Sequence, residues 1–237
     1  MKSIGMFLLL LCSVYSNNLC AQALTDWEVN ALKGKVKQTV EIKISGDGQE
    51  KRKVVSSYNE DGFIENVKIY ALNLKDDEEV YWGQIVYEKY VGSKRKAISF
   101  DQNEIKLKSI SYSWATNNTT KLCTVIFGDL VTEGKPMTMI SVFNANNQKE
   151  NEKLLESGEE RFNEPPITTN ILFEYDENGN NIAYEQTRRI EQEGYLDEKK
   201  SYKVDNETFD DKGNVTKQQV MLNGKLFSAI VYIYSYY

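Results

Sequence analysis

Histidine is absent from the 237-residue chain, and cysteine is scarce, with three residues. The lack of histidine removes the usual general base, the commonest transition-metal ligand and every Ser-His or Cys-His catalytic pair. Cys123 lies in an apolar stretch, which predicts a small buried side chain rather than a reactive thiol. We therefore expect no catalytic residue, no cofactor site and no metal site.

Excess positive charge is also lacking, since the formal net charge is −6. An acidic chain repels phosphate backbones, so nucleic acid is not expected as a partner. The densest basic runs, Lys51-Arg52-Lys53 and Lys94-Arg95-Lys96, are interpreted as turn or edge charges. With three prolines, the chain has few forced breaks in its secondary structure.

The N-terminus has the features of a secretory signal peptide over residues 1–23. Lys2 precedes an apolar run over residues 4–11, and Ala21-Gln22-Ala23 supplies the small residues of a cleavage site. The run is far shorter than the ~20 residues that cross a bilayer, so no transmembrane segment is expected in the mature chain. The predicted location is exported, either periplasmic or extracellular.

A lipoprotein signal is the alternative, with Cys12 or Cys20 as the lipid acceptor. It is disfavoured because Leu11 and Leu19 precede these cysteines, where a small residue is usual. Cleavage after Ala23 would remove both cysteines and leave Cys123 alone, so no internal disulfide is expected.

Strand periodicity begins after a lead-in over residues 24–35. Within the lead-in, Leu24 to Leu32 could form a short helix or an extended segment, with Trp27 and Val29 as anchors. From Val36 the period changes to two, which is the pattern of a half-buried strand.

A pentapeptide recurs along residues 36–237 at spacings of 32 to 43 residues. An aromatic residue is followed by Asn or Asp, two mostly polar residues and usually Gly or Asn. The Asx side chain can bond the backbone two residues on, and Gly or Asn tolerates positive φ, which predicts a type I turn with a G1 bulge. Glu104 departs from the pattern and predicts a strained or different turn. The copies are Tyr58-Asn59-Glu60-Asp61-Gly62, Phe100-Asp101-Gln102-Asn103-Glu104, Phe143-Asn144-Ala145-Asn146-Asn147, Tyr175-Asp176-Glu177-Asn178-Gly179 and Phe209-Asp210-Asp211-Lys212-Gly213.

The predicted fold is all-β: an antiparallel meander of ten to twelve strands in long hairpins. Because many strand positions are polar on both faces, we expect an extended, twisted or partly curled sheet, either an open sheet or a wide half-barrel. The charged stretch at 148–166 predicts a long loop, with a helical segment over 149–156, as a candidate subdomain boundary.

Two copies of the pentapeptide, Tyr175-Asp176 with Gly179-Asn180 and Phe209-Asp210 with Gly213-Asn214-Val215, resemble the YD repeats of Rhs-type proteins. The start Leu32-Lys33-Gly34-Lys35-Val36-Lys37 is similar to that of uncharacterised secreted proteins of Gram-negative gut bacteria. The resemblance implies an extracytoplasmic β-sheet framework, associated with carbohydrate, and offers no family catalytic residues.

Acidic clusters are the remaining candidates for chemistry. Asp176, Asn178 and Asn180 alternate like calcium ligands, but Asn181 and Thr187 stand where an EF-hand needs Gly and Glu, so turn chemistry is favoured. The run at 76–79 and the pair at 159–160 could supply paired carboxylates for glycoside hydrolysis, although adjacent strand residues point to opposite faces.

The aromatic residues are abundant, with 15 Tyr, 9 Phe and 3 Trp. Packing within the sheet is one explanation, and a stacking face for sugar rings or an extended partner is the other. We expect a non-enzymatic envelope protein that binds or scaffolds, with a glycan or an envelope protein as partner; a carrier of a hydrophobic ligand and a carboxylate-only hydrolase are the alternatives. The candidate stacking residues are Tyr81, Trp82, Tyr87, Tyr90, Tyr112, Trp114, Tyr232, Tyr234 and Tyr236.

Overall fold

A computed structural model of the protein describes residues 23–117, 120–129, 137–157, 165–192 and 194–237. The predicted signal peptide lies outside these ranges except for Ala23. The described part contains one short helix, α1 (Asp26–Val29), and fourteen strands. The strands are β1 (Val36–Ser45), β2 (Lys51–Tyr58), β3 (Ile64–Leu72), β4 (Glu79–Tyr87), β5 (Lys94–Asp101), β6 (Lys106–Asn117), β7 (Thr120–Asp129), β8 (Met137–Phe143), β9 (Lys149–Glu156), β10 (Ile167–Tyr175), β11 (Asn181–Ile190), β12 (Glu198–Phe209), β13 (Val215–Leu222) and β14 (Lys225–Tyr236).

The strands form a closed antiparallel barrel in which each strand pairs with its neighbours in sequence. The barrel closes where β1 pairs with β14, from Val36 opposite Tyr236 to Ser45 opposite Ser228. The all-β antiparallel meander is confirmed, whereas the open sheet or half-barrel and the count of ten to twelve strands are wrong. Closure satisfies the backbone groups that the edges of an open sheet would expose.

The stretch around β9 is the clearest correction. The prediction of a long loop with a helical segment is wrong for residues 149–156, which form β9. This strand pairs with β8 through Ser141 opposite Glu152, and with β10 through Thr169 opposite Leu154. Its sequence, KENEKLLE, has no period-two alternation of charged and apolar residues, so cross-strand pairing prevails over the local pattern. Residues 158–164 of the predicted loop lie outside the described part.

The five pentapeptide turns have one geometry, as predicted. In each, the Asx backbone N–H donates to the carbonyl four residues on, and its side-chain oxygen accepts from the backbone N–H groups two and four residues on. The fourth residue of each turn, counted from its Asx, has positive φ. These residues are Gly62, Glu104, Asn147, Gly179 and Gly213. Glu104 adopts φ 63° without glycine's freedom, so this turn is the strained one.

Alternating strand direction divides the turns between the two ends of the barrel. The turns of Asn59, Asn144, Asp176 and Asp210 lie at the end where β1 begins and β14 finishes, and the Asp101 turn lies at the opposite end. We call the first the plugged end, because α1 immediately precedes β1 and closes the barrel there.

The lead-in forms a helix rather than an extended segment. Thr25 and Glu28 make a reciprocal capping box, in which the Thr25 side chain accepts from the Glu28 backbone N–H. This arrangement satisfies orphan donors of a helix that has only four residues. Leu24, two residues before the helix, is 2% exposed and packs in the main apolar cluster of the barrel.

The barrel interior contains two apolar clusters. One brings Leu24 together with residues of β5 to β8, including Ile110, Trp114 and Phe143. The other lies on β12 and β13 around Tyr202, Val204 and Val220. On β12 these buried residues alternate with exposed Lys203 and Asp205, so that outer face carries charge.

Candidate functional site

The plug segment, residues 24–33, closes the plugged end of the barrel. The Trp27 backbone N–H donates to the Gly62 carbonyl over 3.2 Å, and its indole Nε1 donates to the Val36 carbonyl over 2.9 Å. The indole ring lies directly against Gly62, where an added Cβ would come within 2.6 Å of it. Gly62 therefore serves both the turn, through its positive φ, and the seating of the plug.

A buried ion pair fixes the helix from the inside. The Arg95 guanidinium donates from both terminal nitrogens to the two carboxylate oxygens of Asp26, each over 2.9 Å. Asp26 also accepts from the Ile64 backbone N–H over 2.7 Å. Arg95 is 4% exposed, so the pair lies out of water in bidentate geometry, which is the strong form of this contact.

Three tyrosine rings surround the guanidinium. Its central carbon lies 4.7, 4.6 and 5.0 Å from the ring centroids of Tyr87, Tyr90 and Tyr112. Burial tends to lower the pKa of Arg95, but the Asp26 carboxylate outweighs it, and the pKa is raised. Burial raises the pKa of Tyr87 and of Tyr112, so both rings stay neutral beside the ion pair. We call Arg95 with these three residues the tyrosine cage.

Two further contacts join the plug segment to turns at the same end. Glu28 accepts from the Asn147 side chain over 3.3 Å. Asn214 accepts from the Lys33 backbone N–H over 2.6 Å and donates to the Lys33 carbonyl over 2.8 Å. An asparagine that pairs both backbone groups of one residue acts as a short strand partner, so three of the repeated turns hold the plug.

A cavity of about 380 Å³ lies between the plug segment and the inner faces of β1, β2, β13 and β14. Its lining is mixed, and side chains that can form hydrogen bonds outnumber apolar ones. The polar lining residues are Asn30, Thr39, Glu41, Ser56, Tyr58, Tyr175, Asn180, Asn181, Asn206, Asn214, Gln218, Tyr232 and Tyr234. The apolar ones are Val29, Ala31, Leu32, Val54, Ile64 and Val215.

The cavity combines aromatic rings with a single described carboxylate. The rings of Tyr232 and Tyr234 are stacked with centroids 6.2 Å apart, and Tyr234 donates its hydroxyl to the Val215 carbonyl over 2.8 Å. Burial, with a smaller contribution from the Glu41 carboxylate, raises the pKa of Tyr232. Burial also raises the pKa of Tyr234, so both rings stay neutral at physiological pH. The Glu41 carboxylate lies 3.8 Å from the Arg52 guanidinium, and its oxygens can accept hydrogen bonds from a polar ligand.

The predicted stacking residues do not share one exposed face. Tyr87, Tyr90, Tyr112 and Trp114 lie inside the barrel, where the Trp114 indole donates to the Tyr90 hydroxyl over 3.0 Å. Tyr232 and Tyr234 line the cavity, and Tyr236 bonds Asp210 and Asn214 at the plugged end. Tyr81 and Trp82 lie at the start of β4, toward the opposite end, where Trp82 is 59% exposed.

A bulge explains part of this difference. The register of β3 and β4 shifts between Ile69 and Tyr70, so strict alternation along β4 ends before Gly83. Tyr81 then contacts Tyr70 instead of sharing a face with Ile85 and Tyr87. A period-two count through a bulge assigns one side of it to the wrong face.

Asp26, Arg95 and Glu41 are functional candidates that the sequence analysis did not single out. The expectation that Lys94-Arg95-Lys96 are turn or edge charges is wrong for Arg95. Its neighbours Lys94 and Lys96 are exposed whereas Arg95 is buried. The period-two alternation of a strand could therefore have indicated that Arg95 faces the opposite side from the two lysines. Glu41 shares its face with Thr39 on β1, and this polar face, not the Val40 and Ile42 face, lines the cavity.

The candidate calcium residues form a turn. Asp176 Oδ1 accepts from the backbone N–H groups of Asn178 and Asn180, and Oδ2 accepts from the Asn180 side chain. Over the described ranges, no three His, Cys, Asp or Glu side chains are grouped as a metal site would require. The pair at 159–160 lies outside the described residues. No helix in the described part is long and apolar enough to span a membrane.

Comparison with known proteins gives structural neighbours and no family. No protein-family model and no curated protein matches the chain. A porin-like protein from Bacteroides vulgatus ATCC 8482 is similar, with 13% identity and a TM-score of 0.47, over 85% of this chain and 98% of that one. A porin-like protein from Bacteroides uniformis ATCC 8492 is also similar, with 12% identity and a TM-score of 0.41, over 86% of this chain and 99% of that one.

Proposed function

We propose that the protein is an exported, non-enzymatic binding protein of the cell envelope that takes a small hydroxyl-rich ligand, such as a sugar unit, in the cavity beside the plug. The observation that supports this most directly is the cavity lining: amides and hydroxyls, two stacked tyrosine rings and the Glu41 carboxylate. Sugars present hydroxyls around an apolar ring face, and this combination matches both kinds of lining group.

The alternatives fit the same cavity less well. A hydrophobic ligand would remove water from the Glu41 carboxylate without replacing its hydrogen bonds, which is costly for a charged group. Glycoside hydrolysis uses two carboxyl groups flanking one bond, and Glu41 is the single carboxylate among the described lining residues. The described lining groups, which are hydroxyls, amides, two stacked rings and one carboxylate, therefore suit binding better than catalysis.

The first test is a screen of mono- and oligosaccharides against the mature chain, beginning at Leu24, followed by titration calorimetry on any hit. Glu41→Gln keeps the shape of the side chain and removes its charge. We expect it to weaken binding by about 10-fold, because a hydrogen bond to a charged group contributes roughly 1.5 to 3 kcal/mol.

Trp82→Ala is the matched control, since it removes an exposed ring far from the cavity. Unchanged affinity in Trp82→Ala together with weakened affinity in Glu41→Gln would place the ligand in the cavity. The reverse pattern would instead support stacking on the outer face around Tyr81 and Trp82. A screen without any hit would argue against sugar recognition at either place.

A further inference from the structure

We propose that the tyrosine cage is a carboxylate-binding site which Asp26 occupies as a built-in ligand, and that an external carboxylate competes with Asp26 and releases the plug segment. The cage and the cavity are separate, so this proposal stands whether or not the cavity binds a sugar. Its ligand class is a small organic carboxylate or the acidic side chain of a peptide.

The geometry is that of a receptor for a carboxylate. Both terminal nitrogens of Arg95 meet the two oxygens of Asp26 at equal distances, and the Ile64 backbone N–H supplies a third donor. Three rings shield the guanidinium from water, which strengthens its attraction for an anion. These parts of the cage belong to the barrel, whereas Asp26 alone belongs to the plug segment.

The cage still has hydrogen-bonding capacity in reserve. Arg95 Nε is buried and has no hydrogen-bond partner among the described residues. A guanidinium presents five N–H donors in a planar fork, so a ligand placed differently from Asp26 could use this one as well. An unsatisfied buried donor lowers stability, so it is unexpected in a contact that serves stability alone. In a site that accepts more than one ligand, such a donor can bind a ligand other than Asp26.

Stability is a weak explanation for the ion pair. Replacing a buried pair by well-packed apolar residues is often neutral or stabilising, so such pairs are poor evidence for a purely structural role. Here the anchored element is a helix of four residues, too short to be stable without its tertiary contacts. Competition for the Asp26 carboxylate removes the buried ion pair of this helix, and release must also break the hydrogen bonds that Trp27, Glu28 and Lys33 make with the turns.

Release of the plug segment would open the cavity. Residues 29–32 of the segment form one wall of it, next to Asn214 and the inner faces of β1 and β2. Competition at the cage would therefore change access at a neighbouring site without any direct contact between the two ligands. The coupling is steric, because the same segment fills the cage with its first turn and forms a wall of the cavity with its end.

The experiment uses the full mature chain with sodium acetate as the probe and sodium chloride at equal ionic strength as the control. In Asp26→Ala the cage has lost its own carboxylate but keeps Arg95. We expect acetate, and not chloride, to raise the melting temperature of this variant in a saturable way. An equal response to the two salts would overturn the proposed site.

Wild-type protein tests the competition. We expect acetate to increase amide hydrogen exchange severalfold in residues 24–33 and to leave exchange in the strands unchanged, with no such effect of chloride. If acetate rescues Asp26→Ala but never changes exchange in the wild-type segment, the cage binds carboxylates and the release mechanism is wrong. If Asp26→Ala does not fold, the wild-type comparison decides the proposal alone.

Discussion

Gly62 combines two local requirements at the scale of one residue. Its φ of +88° lies in the left-handed region, and the Trp27 ring occupies the space where a side chain would begin. Gly48 shares the positive φ, at +69°, but a Cβ added there would meet no other part of the chain within 4 Å. A substitution at Gly48 therefore tests backbone strain alone, whereas a substitution at Gly62 tests backbone strain together with the steric clash with Trp27.

We expect Gly48→Ala to lower the free energy of unfolding by about 1 to 2 kcal/mol, the cost of the left-handed conformation for a residue with Cβ. Gly62→Ala should cost clearly more, because the added methyl also displaces Trp27 from its place. Equilibrium denaturation of both variants measures this difference. Equal losses would mean that the contact between Trp27 and Gly62 contributes nothing to stability.

For single residues, the sequence predicted local chemical roles better than long-range contacts. The absence of His, the burial of Cys123 and the role of each Asx turn residue follow from residue type, and the structure agrees on Cys123 and on the turns. The partnership of Asp26 with Arg95 could not be predicted, because 69 residues separate them. Contacts of this kind depend on barrel closure, which no local pattern encodes.

The contribution of the repeated turns to stability can be tested by varying the pH, because two of them contain an aspartate with a lowered pKa. Hydrogen bonds from Asn180 hold the pKa of Asp176 below its usual range. Burial tends to raise the pKa of Asp210, but bonds from Tyr236 and Asn214 outweigh it, and that pKa is lowered too. A carboxyl group with a lowered folded pKa stabilises the protein above its unfolded pKa, and this contribution is lost as pH falls through the folded value.

We therefore expect wild-type stability to fall more steeply below pH ~4 than that of an Asp176→Asn, Asp210→Asn double variant. Asn is a suitable replacement, because Asn59 and Asn144 form the same turn in this chain. Urea denaturation at several pH values provides the comparison. Parallel stability curves for the two proteins would show that these carboxylates do not contribute.

Elements with strong local signals were predictable, and β9 was not. The turns and strands such as β1 follow from period two and turn residues, whereas the charges of residues 149–156 indicate a solvated segment. Within the barrel, Glu152 of β9 meets Ser141 and Lys149, so partners from the sheet accommodate its charge. A single sequence does not show that such partners exist.

For the whole molecule, the seam between β1 and β14 distinguishes the closed barrel from the open sheet that the sequence predicted. Polar residues on both faces favoured a sheet in water, but the polar inner face of β1 lines the cavity inside the barrel. Ile42 and Val231 lie directly opposite each other across the seam. Their neighbours Glu41 and Tyr232 face the cavity, so this pair points outward.

We expect an Ile42→Cys, Val231→Cys variant to form a disulfide on oxidation and to gain about 2 to 4 kcal/mol in unfolding free energy over its reduced form. Cys123 should not interfere, since burial raises the pKa of its thiol to about 12 and keeps it protonated. Denaturation with and without reductant measures the gain. Failure of the two introduced cysteines to pair would contradict closure at this register.

The same seam has a consequence for how the chain reaches its native state. Strand β1 obtains one of its two partners only when β14, almost two hundred residues later, is in place. Contacts between such distant residues are slow to form, because loop closure costs entropy before pairing repays it. Until β14 is synthesised, β1 therefore has an open edge, and protection of that edge from other chains becomes a requirement of the fold.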